Sequence, residues 1–125
     1  MARGNLSLGN AAEESAADFL KQRGFSIIKR NYRNKLGEID IIAQDKGVIC
    51  FVEVKARRSL NYGLPQEAVS EIKRRKISRV AISYLKENKL LNTRSRFDVV
   101  SVLYTGNSPK ISLIQDAFEL EGDFS

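Results

Sequence analysis

Between residues 36 and 56 lie two apolar runs, interrupted once by Asp45-Lys46-Gly47, a stretch that favours chain reversal. Two strand-length runs joined by a short turn fold as an antiparallel hairpin. The first, residues 36–44, alternates: Ile39, Ile41 and Ala43 are expected on one face, Glu38, Asp40 and Ile42 on the other. The second, residues 48–56, is apolar nearly throughout, as in a strand covered on both sides and central in its sheet. If Lys46-Gly47 is a two-residue loop, Asp45 pairs with Val48 and Asp40 falls opposite Glu53. A three-residue loop would shift the pairing by one and separate them.

The flanking sequence supplies helices. Residues 9–23 are alanine-rich and stop at Gly24, so they are expected to be helical, with Ala12, Ala16, Phe19 and Leu20 on one stripe. Glu13 lies on the edge of that stripe and leans toward whatever the helix covers, whereas Glu14 points away. Residues 25–33 read as a strand preceding the hairpin. After a polar loop at 57–64, Pro65 suits the first turn of a second helix running to about residue 87. Its apolar stripe is expected to be Val69, Ile72, Ile77, Val80, Ala81 and Tyr84, with Lys73 near its middle and Lys76 at its edge. Residues 96–104 form a fourth strand and 110–115 a short fifth. Helix, three strands, helix and two strands imply a mixed sheet of four or five strands flanked by helices, an α/β sandwich. The expected layout is a loose arm at 1–8, one domain at 9–115 and an acidic tail at 116–125.

Composition narrows the chemistry. The sequence has no histidine and one cysteine, which excludes histidine-based zinc sites, histidine-dependent nucleophiles and an intrachain disulfide. Cys50 sits in an apolar run and reads as a small buried hydrophobe. With no long apolar run and no signal-like N-terminus, the expectation is a cytoplasmic protein without a membrane partner. The net charge is +6, and the last ten residues are purely acidic, so the other 115 carry 21 basic against 11 acidic side chains. A basic body is the electrostatic footprint of a polyanion binder, although a cationic solvated surface has the same composition.

Glu53 and Lys55 share a face of a strand otherwise apolar, and a buried strand carries such charges only if they are paired or functional. The structural alternative is a pair of charges in water at a strand end, or paired with each other. In the functional reading, Asp40 and Glu53 hold Mg²⁺ or Mn²⁺ with the Val54 carbonyl as a further ligand. Glu13 acts directly or through a water, and Lys55 orients or deprotonates an attacking water beside a phosphate. Arg57 and Arg58 extend that strand into a loop and, with Lys73 and Lys76, are candidates for phosphate contact. Tyr62 is a weaker candidate for stacking on a base. Asp98, between Phe97 and Val99, reads as structural.

Glu13, Asp40 and Glu53-Val54-Lys55 together resemble the pattern of the PD-(D/E)xK nuclease superfamily. The wider set Arg30-Asn31-Tyr32-Arg33, Gly37-Glu38-Ile39-Asp40, Phe51-Val52-Glu53-Val54-Lys55 and Arg96-Phe97-Asp98-Val99-Val100 resembles the YraN family of bacterial proteins, itself similar to archaeal Holliday junction resolvases. The resemblance covers roughly residues 9–103. It implies a restriction-endonuclease-like fold, a site of Glu13, Asp40, Glu53 and Lys55, and a matching Lys73 on the second helix. Ala12 stands where that family usually has glycine. The implied activity is metal-dependent hydrolysis of phosphodiesters, DNA ahead of RNA, with branched DNA among the substrates. Paired incision of a junction would require a homodimer. The alternative is a nucleic-acid-binding module on a nuclease fold without catalysis of its own.

Overall fold

A computed structural model describes residues 8–58, 69–106 and 108–120. In chain order the elements are α1 (Leu8–Gln22), β1 (Ser26–Asn34), β2 (Gly37–Asp45), β3 (Val48–Arg57), α2 (Glu71–Glu87), β4 (Ser95–Thr105) and β5 (Ser108–Phe118). The five strands form one sheet in the order β1-β2-β3-β4-β5. Every neighbouring pair is antiparallel except β3 and β4, which α2 connects in parallel. This is the expected mixed α/β sandwich, with α-β-β-β-α-β-β order and β3 at its centre, consistent with a nuclease-like fold.

The turn that fixes the register is of the two-residue kind. Lys46 and Gly47 both have positive φ, 51° and 83°, as in the hairpin turn whose twist matches its strands. Asp45 pairs with Val48, and the ladder runs as far as Ile41 opposite Val52. At the end of α1, Gly24 takes φ of 92°, its N–H bonds to the Lys21 carbonyl, and the Phe25 N–H bonds to that of Leu20. This double bond pattern closes the helix and turns the chain directly into β1.

The two faces of the sheet carry separate cores. On one, Ala12, Ala16, Ala17 and Leu20 of α1 cover Ile41, Ala43, Cys50, Val52, Val100 and Val102. On the other, Ile77, Val80, Ala81, Tyr84 and Leu85 of α2 cover Ile39, Ile42, Phe51, Phe97 and Val99. Ring contacts link all five aromatics across this second face: Tyr32–Tyr84, Tyr84–Phe51, Phe51–Phe97 and Phe97–Phe118, with centroids 5.2, 6.0, 5.7 and 4.9 Å apart.

Four expectations need correction. Ile39 does not share a face with Ile41. Both β1 and β2 turn over between positions 30/41 and 32/39, where the ladder skips the Asn31–Asp40 pair and Asn31 adopts a φ of 54°. Ile72 is not in the core but 70% exposed. At about 100° per residue it points far from the Val80–Tyr84 stripe, and Leu85 completes the stripe instead. The regular turns of α2 begin at Glu71, because Ser70 is extended and its hydroxyl caps the Lys73 N–H; Pro65 and Tyr62 lie outside the described residues. Finally, β5 continues to Phe118, so the strand includes the first three residues of the expected acidic tail. Phe118 stacks on Phe97 and is buried, and that contact carries the strand past Asp116.

Candidate functional site

Hydrogen bonding between β2 and β3 stops after Ile41–Val52, and a side chain continues it. The Val54 N–H donates to Asp40 Oδ2 at 2.8 Å. An extended residue directs its N–H and C=O to the same side, so the Val54 carbonyl also faces β2 and Asp40. Glu53 projects to the α2 face and is 5% exposed. Its Oε2 lies 3.0 Å from Lys73 Nζ and 3.7 Å from Lys55 Nζ. Asp40, Glu53, Val54, Lys55 and Lys73 are thus gathered where the two strands part.

The electrostatics follow from that crowding. Burial, and then the Glu53 carboxylate beside it, push the Asp40 carboxyl up to about 8, against the opposing pull of the Val54 N–H. Side-chain contact with Glu53 and the charge of Glu13 add to the rise. Glu13 on α1 is raised as well, chiefly by burial; a hydrogen bond from Asn31 works against this, and the charges of Glu38 and Glu53 add to it. Lys73 moves upward despite desolvation, because Glu53, with help from Asp40 and Glu38, favours its charged form.

Glu13 therefore lies within electrostatic reach of the pair, as the helix periodicity predicts, and Glu14 is turned away in an exposed ion pair with Arg30 at 3.2 Å. A surface concavity of about 600 Å³ opens between them, bordered by Glu13, Glu14, Arg30 and Asn31. Among the described residues, no three carboxylate or thiol side chains gather closely enough to form an ion cage by themselves. A divalent cation would rest on Asp40, Glu53 and the Val54 carbonyl, a protein contribution of the size magnesium ordinarily accepts. The donors are hard oxygens, and the Asp40 carboxyl, crowded by Glu53, would gain from the charge such an ion brings, so the residues fit the group.

Arg57 ends β3 as a buried residue, whereas Arg58 and Lys76 are exposed. Lys76 lies one helical turn beyond Lys73 on α2. Asn31 belongs beside Glu13, to which its side chain donates. The signal was present in the sequence: asparagine is a poor strand residue and among the most tolerant of positive φ.

A second charged cluster occupies the opposite end of β3 and is structural. Asp98 is fully buried and takes Arg96 Nε on both carboxylate oxygens, at 2.9 and 3.0 Å. It also accepts the Asp116 N–H at 2.9 Å, while Arg96 reaches Asp45 at 3.1 Å. Nearby, burial and then Asp98 push the Cys50 thiol up to about 12, which leaves it an inert hydrophobe.

A model of the family described as "Uncharacterised protein family UPF0102" matches residues 12–102. A "UPF0102 protein" of Trichlorobacter lovleyi is 47% identical over 120 residues, covering 94% of each chain. One from Syntrophus aciditrophicus is 48% identical over 116 residues, 93% of this chain and 91% of the relative. One from Caldicellulosiruptor saccharolyticus is 48% identical over 113 residues, 89% of this chain and 96% of the relative.

Proposed function

This chain belongs to the uncharacterised protein family UPF0102, as its resemblance to the YraN proteins implied, and we propose that it is a metal-dependent phosphodiesterase acting on nucleic acid, DNA ahead of RNA. The observation that carries this reading is the crowding of half-buried Asp40 against buried Glu53, flanked by Lys55 and Lys73. A core selected for stability alone would not hold two carboxyl groups against each other.

Asp40 and Glu53, with the Val54 carbonyl, would hold Mg²⁺ or Mn²⁺. Such an ion supplies Lewis-acid stabilisation of charge on the phosphoryl and leaving oxygens. Lys55 lies at the partly open edge of the pair, where its ammonium can hold the attacking water or a phosphate oxygen. Glu13, with its carboxyl raised by burial, would exchange a proton with that water. Water adds to phosphorus, the bond to the leaving sugar oxygen breaks, and one proton ends on that oxygen.

A specific observation favours the second reading, a nucleic-acid-binding module. Both ammonium groups lie against Glu53 and already offset its charge without an ion. The two readings separate on a panel of branched, nicked and single-stranded DNAs incubated with Mg²⁺ or Mn²⁺. Cleavage that is lost in Glu53→Ala supports the phosphodiesterase. Binding without cleavage of any substrate, or equal cleavage by Glu53→Ala, removes it.

A further inference from the structure

Most ion-paired cations in this chain lie near an acid of their own element or of the adjoining one. Several other cations form no salt bridge among the described residues, and four of these, Lys35, Lys76, Arg79 and Lys86, border one seam between the β1–β2 hairpin and α2. All four are exposed, and they gather on one side of the molecule. Lys76, Arg79, Ser83 and Lys86 follow one another at intervals of three, four and three residues, which places them on a single stripe of α2. Lys35 stands at the tip of the β1–β2 hairpin, which packs against that stripe.

The hairpin is fixed in place rather than merely near. A Cβ at Gly37 would lie 3.2 Å from Val80 Cγ2, so backbone and helix approach as closely as glycine allows. The Asn34 side-chain amide donates to Ser83 Oγ at 3.4 Å, and Asn34 Oδ1 accepts the Leu36 N–H at 2.8 Å. Tyr32 meets Tyr84 edge to face and donates to Glu87 at 3.4 Å. Two shallow concavities, about 380 and 420 Å³, run along the seam and share Leu36, which is 47% exposed. The first includes Arg33, Lys35 and Lys76, the second Arg79 and Lys86. Of the two acids bordering them, Glu38 is held by Arg33 and Glu87 by Tyr32.

The geometry points to this seam as a track for the phosphate backbone of double-stranded DNA, running from the β1–β2 tip along the outer stripe of α2. The assignment rests on reading the chain as a nucleic-acid-binding protein, and it deepens that reading by naming the surface and the ligand. The eleven residues from Lys76 to Lys86, ten steps, span about 15 Å of helix axis. That length exceeds the spacing between neighbouring phosphates of one DNA strand, so several of these cations can meet phosphates at once. Its near end adjoins the candidate site, because Lys76 is one turn from Lys73 and Glu38 is two residues from Asp40. The hairpin and helix that carry these cations are already fixed against each other, so no backbone has to be ordered on meeting the phosphates.

The test is binding of a fluorescein-labelled 24-base-pair duplex across a salt series without divalent ions. The variant combines Lys35→Ala, Lys76→Ala, Arg79→Ala and Lys86→Ala, with Lys46→Ala at the opposite end of β2 as control. Four lost phosphate contacts should weaken binding at least about tenfold and reduce the slope of log affinity against log salt by about 3 to 4. The control should match wild type, and urea unfolding should show all three proteins equally stable. Unchanged affinity and slope in the quadruple variant overturn the track while leaving the proposed catalysis standing. A loss seen only with a single-stranded RNA of equal length overturns the duplex assignment. Duplex binding through these residues without cleavage of any substrate upholds the track and removes the catalytic reading.

Discussion

Lys73 Nζ lies 3.0 Å from Glu53 Oε2, joining a half-exposed ammonium on α2 to a carboxylate that is 5% exposed on β3. It is the nearer of two cations on a buried charge, so removing it leaves Glu53 with Lys55 alone. Lys73→Met should destabilise the metal-free protein by about 1–3 kcal/mol in urea unfolding. Glu53→Gln in the same background should recover most of that loss. A double-mutant cycle with no coupling would show that the pair contributes nothing to the fold.

Asp40 gives the fold a pH dependence opposite in sign to that of a salt-bridged aspartate. Its carboxyl rises from an ordinary 3.8 to about 8 in the folded chain. Between those values the folded protein holds a proton that the unfolded chain has released, so this contribution to stability falls as pH rises and is lost above about 8. Asp40→Asn keeps an oxygen to accept the Val54 N–H but has no proton to lose. It should match wild type near pH 5 and exceed it by about 1–3 kcal/mol at pH 9. Urea midpoints at several pH values test this, and parallel profiles for the two proteins would refute it.

Divalent binding should track the same proton. A cation held by Asp40 and Glu53 requires both carboxylates ionised, so Mn²⁺ affinity measured by calorimetry should increase as pH rises from 6 toward 8. Asp40→Asn should weaken binding at every pH and flatten that profile. Equal Mn²⁺ affinity in the variant would place any bound ion elsewhere.

Arg96 and Asp98 should matter for stability and for nothing else. Arg96→Met leaves a fully buried carboxylate without its guanidinium partner and should cost about 3–5 kcal/mol. Arg75→Ala removes an exposed pair one turn apart on α2 and should cost about 0.5 kcal/mol or less. Thermal melts compare the two, and duplex binding at a temperature where both remain folded should equal wild type.

The Lys46-Gly47 turn can be improved as well as broken. Gly47 has open space around a would-be Cβ but a φ of 83°, so Gly47→Ala should cost about 1 kcal/mol through backbone strain alone. Lys46→Asn installs the residue pair this turn type prefers and should stabilise by a few tenths of a kcal/mol. Urea midpoints shifting the other way would contradict the turn assignment.

Elements with a clear period were legible in the sequence. The alternation of 36–44 and the near-continuous apolar run of 48–56 located the hairpin and the central strand. Helical spacing separated Glu13 from Glu14 and placed Lys73 toward the sheet. What was not legible depended on partners distant in sequence. The reversal at Asn31 and Asp40 breaks two strands at once, and no single-strand period can reveal that. The extension of β5 to Phe118 depends on Phe97, twenty-one residues earlier, and acidic composition masked it. Ile72 was simply assigned to the wrong side of the helix; its angular position already set it apart from Val80 and Tyr84.

The two-residue turn also orders events in time. Asp40 and Glu53 are separated by a hairpin that closes locally, a microsecond process, whereas Lys73 arrives only when α2 crosses over the finished sheet. On this order the two carboxyl groups meet before their nearer cation docks. Gly47→Ala should then slow refolding, and Lys73→Met should chiefly hasten unfolding, a division that a chevron plot of each variant resolves. A chain built this way brings its carboxyl pair together through a local turn and receives the nearer cation from a distant helix.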